Sequence, residues 1–292
     1  MRLLKSNNLA QIAFDVSGLL RYGDFIRAWR GRAGQGKAGL GKDELTINHG
    51  VCEMKKHIVT KDQLNESNEY IGSENLEDFD GAIEISANLG TVKFKSLFAR
   101  LWIVACDGSG IEAGSGIKAG EGIKAGWGIE AGWGIEAGWG IEAGSGIEAG
   151  WGIEAGSGIK AGWGIKAGSG IKAGEGIEAG SGIKAGEGIE AGWGIEAGSG
   201  IKAGSCIKAG SGIKAGSCIK AGWGIKAGEG IKAGEGIEAG FSINAKFVDV
   251  KLRIFVGICP WRLPKPEESQ LCAVIKNGTL AYGTHVLPEE VK

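Results

Sequence analysis

The sequence predicts an all-β protein, a β-solenoid, and three observations carry that prediction. The six-residue unit Gly-x-Gly-Ile-Lys/Glu-Ala recurs from about residue 108 to residue 240. Isoleucine occupies every sixth position from Ile111 to Ile237, and 57 of the 292 residues are glycine. A fixed short period is typical of a solenoid, a stack in which each unit contacts only its neighbours.

The repeat disfavours the other regular structures. A period of six does not keep apolar residues on one face of a helix. Two glycines in each unit would also cost a helix about 1 kcal/mol apiece relative to alanine. Collagen needs glycine at every third residue, whereas these glycines alternate between spacings of two and four.

Each unit is best explained as a short strand followed by a corner. In residues 129–131, Ile-Glu-Ala, alternation places Ile and Ala on the inner face and the charge on the outer face. Residues 132–134, Gly-Trp-Gly, then form the corner, where we expect glycine to supply backbone angles that other residues avoid. The variable residue of the corner, which is Ser, Glu or Trp, projects outward.

Residues 131–136, Ala-Gly-Trp-Gly-Ile-Glu, resemble the repeat of the hexapeptide-repeat left-handed β-helix proteins. The glycines fall in register with that family's pattern, although the small and large inward positions are swapped. The resemblance covers somewhat under half of the chain. It implies a left-handed triangular β-helix with three hexads in each coil. Trp127, Trp139, Trp151 and Trp163 are spaced by twelve residues, which would suit a flattened coil of two hexads, but we expect the triangular coil.

Five segments follow from this pattern. Residues 1–53 are predicted to form a basic amphipathic helix (9–30) and a Gly-rich loop, and they cover an end of the solenoid or form a basic arm. Residues 54–107 are degenerate coils, 108–240 are the regular array, and 241–259 are a capping coil. Residues 260–292 are predicted to be a Pro-rich turn and a β-hairpin cap around Asn277-Gly278, a type I′ turn signal.

Composition limits the function classes. The net charge is −1, which disfavours a wholesale nucleic-acid or membrane binder. No apolar run is long enough to span a membrane, and no signal peptide is evident. The six cysteines lack metal-ligand spacing. We therefore expect a cytoplasmic protein with reduced thiols, and near-perfect repeats suggest a bacterial or phage gene that expanded recently.

The sequence offers no catalytic, cofactor or metal site. Many hexapeptide-repeat relatives are acyltransferases, and the resemblance implies a histidine base within the coils. The array contains no histidine, since His49, His57 and His285 lie outside it. Residues 31–37 resemble a phosphate-binding loop, but Ala38 replaces the Ser/Thr that would hold Mg²⁺, and no strand precedes it. We therefore expect a non-enzymatic protein without cofactors.

Three surface features remain as candidates for function. Tryptophans at the corners predict a contact surface: Trp127, Trp133, Trp139, Trp151, Trp163, Trp193 and Trp223. A basic surface is predicted near the C-terminal end of the array: Lys202, Lys208, Lys214, Lys220, Lys226 and Lys232. Cys206 and Cys218 replace a glycine, by drift or as stacked or reactive thiols.

The leading hypothesis is a structural or protein-interaction rod, one that self-associates or acts as an inhibitor or decoy of a host complex. The alternative is a nucleic-acid-binding protein that uses the basic N-terminal arm and the Lys-rich end. The sequence does not identify the partner.

Overall fold

The computed structural model describes residues 54–288. Over this range the chain forms an all-β, parallel β-solenoid of about 11 coils. The predicted N-terminal helix, the Gly-rich loop and His49 lie outside the described residues. Among the residues described, the only helical segments are two short 3-10 turns, Lys61–Gln63 and Pro266–Glu268.

The strands follow the hexads with little deviation. The first coils contain β1 Lys56–Val59, β2 Ala82–Ile85, β3 Gly90–Phe94, β4 Leu97–Ala99 and β5 Ile103–Ala105. The array contains β6 Ser109–Ala113, β7 Ile117–Ala119, β8 Ile123–Ala125, β9 Ile129–Ala131, β10 Ile135–Ala137, β11 Ile141–Ala143, β12 Ile147–Ala149, β13 Ile153–Ala155, β14 Ile159–Ala161, β15 Ile165–Ala167, β16 Ile171–Ala173, β17 Ile177–Ala179, β18 Ile183–Ala185, β19 Ile189–Ala191, β20 Ile195–Ala197, β21 Ile201–Ala203, β22 Ile207–Ala209, β23 Ile213–Ala215, β24 Ile219–Ala221, β25 Ile225–Ala227, β26 Gly230–Ala233 and β27 Ile237–Ala239. The last coils contain β28 Ile243–Val256, β29 Gln270–Tyr282 and β30 Thr284–Val286.

Each coil of the array contains three hexads. Every strand pairs in parallel with the strand three places along the chain, so that Ile135 lies between Ile117 and Ile153, a spacing of 18 residues. The twelve-residue alternative is therefore wrong. The tryptophans spaced by twelve residues lie at different corners of the coil and are not stacked on each other.

The three strands of a coil define three faces. Face 1 contains β6, β9, β12, β15, β18, β21, β24 and β27; face 2 contains β7, β10, β13, β16, β19, β22 and β25; face 3 contains β8, β11, β14, β17, β20, β23 and β26. We name the corners by the faces that they join: 1/2, 2/3 and 3/1. Residues at one kind of corner recur every 18 positions and form a column along the rod.

The core is a continuous stack of isoleucine and alanine. The isoleucines of the array are at most 1% exposed, and the alanines that follow them are almost as deeply buried. Alternation along three residues is sufficient for this arrangement, because a strand directs successive side chains to opposite faces. Full burial of each isoleucine contributes about 1.5–3 kcal/mol relative to an exposed one.

The corner glycines are required for close approach, not for unusual backbone angles. None of the glycines between 110 and 240 has a positive φ, so that part of the sequence prediction is wrong. At the first glycine of a corner, such as Gly150, a Cβ atom would lie 1.9 Å from the carbonyl oxygen of Gly132 in the preceding coil. At the second glycine, such as Gly152, the nearest atom would be 3.4 Å away.

The C-terminal end differs from the predicted hairpin. β29 pairs with β28 in parallel, and β30 pairs in parallel with the start of β29, so the prolines at 260–266 do not end the solenoid. Gly278 does adopt a positive φ of 98°, as a turn residue should, but the chain there only rounds a corner. A continuing coil leaves β28 paired on both sides, which a reversing hairpin would not.

Candidate interaction surface

The predicted tryptophans are distributed over all three corners. Trp127 and Trp163 lie at corner 3/1, Trp133, Trp151 and Trp223 at corner 1/2, and the remaining two at corner 2/3. Six of them are exposed, from 49% for Trp223 to 70% for Trp163. The seventh, Trp139, is half-buried. The structure therefore does not bring the seven together into one patch.

Corner 1/2 holds the only stacked tryptophan pair among the described residues. The Trp133 and Trp151 rings are 5.7 Å apart between centroids and 9° from parallel. Their backbones are joined by a hydrogen bond from the Trp151 amide to the Trp133 carbonyl, 2.9 Å long. The ladder spacing of about 4.8 Å places successive corner residues at stacking distance. The pair presents a rigid aromatic platform.

A second aromatic pair lies further along the same corner. Trp223 contacts Phe241 edge to face, with ring centroids 6.3 Å apart. The guanidinium of Arg262 lies 4.5 Å from the Phe241 ring centroid, so this pair is partly covered by the loop before β29. Residues 169, 187 and 205, which are Ser, Glu and Ser, separate the two aromatic pairs.

A groove of about 910 Å³ runs beside corner 1/2 on face 2. Tryptophans of the corner form one wall, and the outward charges of face 2 form the other, among them Glu136, Glu154 and Lys172. Its floor is the second glycine of each corner, which has no side chain, and the isoleucine after it, which points inward. The groove therefore follows directly from the hexad, and it continues for as many coils as the repeat does.

The six predicted lysines encircle the rod and do not form one patch. Lys202 and Lys220 lie on face 1, Lys208 and Lys226 on face 2, and Lys214 and Lys232 on face 3. Two are neutralised within the chain, Lys214 by Glu196 and Lys220 by Glu238 at 2.8 Å. The hydrogen bond to Glu238 raises the pKa of Lys220.

The cysteines at 206 and 218 occupy the tolerant second position of a corner. They lie in different columns, so the two thiols do not stack on each other. Ser242 fills the same kind of position in a later coil. All five cysteines of the described range are free thiols. Burial and nearby carboxylates, those of Glu84 and Asp107, raise the pKa of Cys106, which disfavours its reactive thiolate form.

The histidines within the described range lie at opposite ends of the rod. His57 is in β1, where its Nε2 is 3.0 Å from the hydroxyl of Tyr70, and both rings pack over the first coils. His285 is in β30, and its Nε2 donates a 2.7 Å hydrogen bond to the carbonyl of Ala273. The described residues contain no cluster of His, Cys, Asp and Glu suited to a metal ion.

Comparisons with known proteins place no constraint on this surface. No protein-family model matches the chain, and neither a curated protein nor a solved structure matches it. In the part of the chain that the structure describes, no helix is long and apolar enough to cross a membrane.

Proposed function

We propose that this chain is a protein-interaction rod whose principal contact surface is the groove beside corner 1/2. The observation that carries the proposal is the stacked and exposed pair Trp133 and Trp151 at the wall of that groove. Exposed aromatic platforms are costly to leave in water, and tryptophan dominates the affinity of many interfaces. The rigid backbone ladder beneath them lowers the entropy cost of binding.

The groove fits an extended partner segment lying along the rod axis. Its floor is flat backbone, and its charged wall carries both signs, with the pair Glu136 and Glu154 between Lys118 and Lys172. The two aromatic pairs are four coils apart, or about 19 Å at the ladder spacing. A partner with apolar anchors at that separation would contact both pairs and hydrogen-bond to the charges between them.

The test compares matched pairs of substitutions. Trp133→Ser/Trp151→Ser removes the stacked pair, whereas Trp127→Ser/Trp163→Ser removes two unstacked tryptophans from another corner. Tagged full-length chains are used to recover partners from nuclease-treated bacterial lysate, and each recovered partner is purified and titrated. We expect the first variant to lose at least about 2 kcal/mol of binding free energy, about 30-fold in affinity. Equal binding by wild type and the first variant would contradict the proposal.

A second candidate function is nucleic-acid binding, and one observation favours it. Four consecutive coils of face 1 carry only lysine outward, at positions 166, 184, 202 and 220. This candidate predicts recovery that nuclease abolishes and an affinity that falls steeply with salt. Replacement of the four lysines by glutamine should then remove binding, and the tryptophan substitutions should leave it unchanged.

The narrower expectations from the sequence belong with this proposal. We propose a left-handed, hexapeptide-repeat coil, a cytoplasmic location and a bacterial or phage source, and a role as inhibitor or decoy of a host complex fits a rod that presents one repeated surface. Identification of the partner recovered from the lysate tests the inhibitor or decoy role directly.

A further inference from the structure

The outward charges of face 1 are segregated along the rod. Neighbouring coils pair residue for residue, so the order of the charges in space is set by the strand register. From the N-terminal end of the array the order is Glu112, Glu130, Glu148, Lys166, Lys184, Lys202, Lys220 and Glu238. Three carboxylates are thus followed by four ammonium groups.

This segregation leaves like charges stacked on each other. Glu130, Lys184 and Lys202 each have the same charge in the coil before and in the coil after. Ladder neighbours are about 4.8 Å apart, and like charges placed directly opposite destabilise a sheet. No ion pair forms at these three residues within the described range.

Faces 2 and 3 avoid that arrangement. On face 3 the order is Lys124, Glu142, Lys160, Glu178, Glu196, Lys214 and Lys232, and the last lies beside Asp249. On face 2 the order is Lys118, Glu136, Glu154, Lys172, Glu190, Lys208 and Lys226. Each of these residues has at least one neighbour that is not of its own charge. Segregation is therefore a property of face 1.

Over the six coils from Glu112 to Lys202, the charges of face 1 change sign once, between Glu148 and Lys166. A two-fold axis through that point, parallel to the strands, would lay face 1 of one rod antiparallel on face 1 of another. Such an interface must be self-complementary, because each contact between two residues occurs twice. The opposed pairs are Glu148 with Lys166, Glu130 with Lys184, and Glu112 with Lys202.

We propose that face 1 is the interface of an antiparallel homodimer in this register, in which the partner is a second copy of the chain. The proposal goes beyond the protein-interaction role, because it uses the charged residues of face 1 and not the aromatic groove on face 2. The dimer supplies opposite charges to the three residues that lack them in the single rod. Six pairs of opposite charge form in total.

Other alignments of the same face are poorer. A parallel arrangement places Glu against Glu and Lys against Lys throughout. An antiparallel slip by one coil places Glu148 against its own copy, or Lys166 against its own copy, at the centre of the interface. In the proposed register Lys93 and Lys220 are opposed beyond the central pairs, but each has a carboxylate of its own chain, Glu112 at 3.8 Å and Glu238 at 2.8 Å.

The corners that border face 1 fit the same register. A tryptophan that faced its own copy would hold the two sheets apart, because its ring is much larger than the neighbouring serines. In this alignment every tryptophan next to the central six coils faces a smaller residue. The opposed pairs are Trp127 with Ser181, Trp163 with Ser145, Trp151 with Ser169 and Trp133 with Glu187.

The experiment exchanges the charges and reads the mass in solution. An acidic variant carries Lys184→Glu/Lys202→Glu, and a basic variant carries Glu112→Lys/Glu130→Lys. In the acidic variant each introduced carboxylate adjoins a lysine of its own ladder, Lys166 or Lys220, so the fold is not strained. Sedimentation of each full-length chain at low salt gives its dimer dissociation constant. Lys226→Glu/Lys232→Glu, on faces 2 and 3, makes the same change in charge, leaves a lysine beside each introduced carboxylate (Lys208 or Lys214), and serves as the control.

We expect the wild type and the control to be dimers, and each variant alone to dissociate at least about 100-fold more readily, because four of the six pairs become repulsive. An equimolar mixture of the acidic and basic variants should restore a dimer, since all opposed pairs are again of opposite charge. A monomeric wild type would overturn the proposal, and so would an acidic variant that dimerises as well as the wild type. A mixture that stays monomeric, with both variants folded by circular dichroism, would overturn this register.

Discussion

The two glycines of one corner should respond very differently to alanine. Gly150 and Gly152 flank the exposed Trp151, belong to the same coil and lack a positive φ. A Cβ atom at the first would lie 1.9 Å from the carbonyl oxygen of Gly132, whereas a Cβ atom at the second would lie 3.4 Å from that of Gly170. The first distance is far inside van der Waals contact and the second is an ordinary one.

The loss of stability expected for Gly150→Ala depends on which atoms must move to relieve the clash. The obstructing atom is backbone, and the Gly150 amide donates a 3.0 Å hydrogen bond to Ala131 in the same ladder. Relief of the clash separates the two coils locally. Overpacking costs about 1–3 kcal/mol and a weakened ladder bond about 1 kcal/mol, so we expect Gly150→Ala to lower the free energy of unfolding by about 2–4 kcal/mol.

Gly152→Ala should be neutral or slightly stabilising. The native backbone accommodates alanine there, and loss of freedom in the unfolded chain contributes up to about 1 kcal/mol of stability. Cysteine at 206 and 218 and serine at 242 already occupy equivalent positions. Urea unfolding of both variants, followed by far-ultraviolet circular dichroism, gives the difference from the midpoints if the slopes agree. Equal midpoints for the two variants would refute the assignment of the first glycine to close coil contact.

Three further outcomes are expected. Ile147→Ala, at a side chain 1% exposed, should destabilise the rod by about 2–5 kcal/mol in urea unfolding, and an unchanged midpoint would mean that the core is not continuous. The bidentate ion pair with Arg262 lowers the pKa of Glu268 from 4.5 to about 2, so the contribution of this ion pair to loop order is complete above pH 4.5 and is lost as the pH falls toward 2. An NMR titration of Glu268 should show a midpoint near that lowered pKa, and Arg262→Ala should return the midpoint toward 4.5. Gly278→Ala, at a φ of 98° with Val250 Cγ2 2.3 Å from the added carbon, should lower the thermal midpoint, whereas a neutral result would argue against the parallel last coil.

The strands were predictable from the sequence because each hexad contains all the information for its own strand. Alternation of Ile, a charge and Ala gives one buried face and one exposed face, and burial in the structure follows that pattern from Ile117 to Ala239. Closure of the coil is a different matter. A coil of two hexads and a coil of three hexads require the same pattern within each hexad, so the hexad does not predict the number. The twelve-residue spacing of the tryptophans along the chain likewise does not show which tryptophans are neighbours in the folded coil.

The hairpin prediction failed for a related reason. Asn277-Gly278 has the composition of a tight turn, and Gly278 adopts the positive φ that such a turn uses. Whether the chain then reverses depends on which strand is available for pairing. β28 offers an unpaired parallel edge over fourteen residues, and β29 satisfies its backbone groups by following it. A type I′ turn needs a positive φ at both central residues, and only Gly278 has one, so the type I′ turn is absent and the neighbouring coil sets the direction of the chain.

The candidate interaction surface could be predicted only in part, again because a single hexad does not specify which coils are neighbours. Its residue types could be named, because a corner that accepts Ser, Glu and Trp has to face water. The pairing of Trp133 with Trp151, and the stacking of Lys184 between two other lysines, depend on a period of 18 residues that no single hexad specifies. Once the 18-residue period is known, each outward residue can be assigned to a column, and its neighbours on the surface follow.

The positions of the hexad fall into two groups, those that the fold constrains and those that it does not. The inward Ile and Ala and the first corner glycine scarcely vary, because a change at any of them disturbs the coils on both sides. The outward residues vary without a cost to the core, so an exchange of Lys for Glu at position 184 alone would relieve a stack of like charges and leave the packing intact. Such stacks lie on face 1 and not on faces 2 and 3, and in positions that an antiparallel copy would neutralise. Self-association accounts for both features, whereas the Ile and Ala core, which is the same behind all three faces, gives no reason for a difference among them.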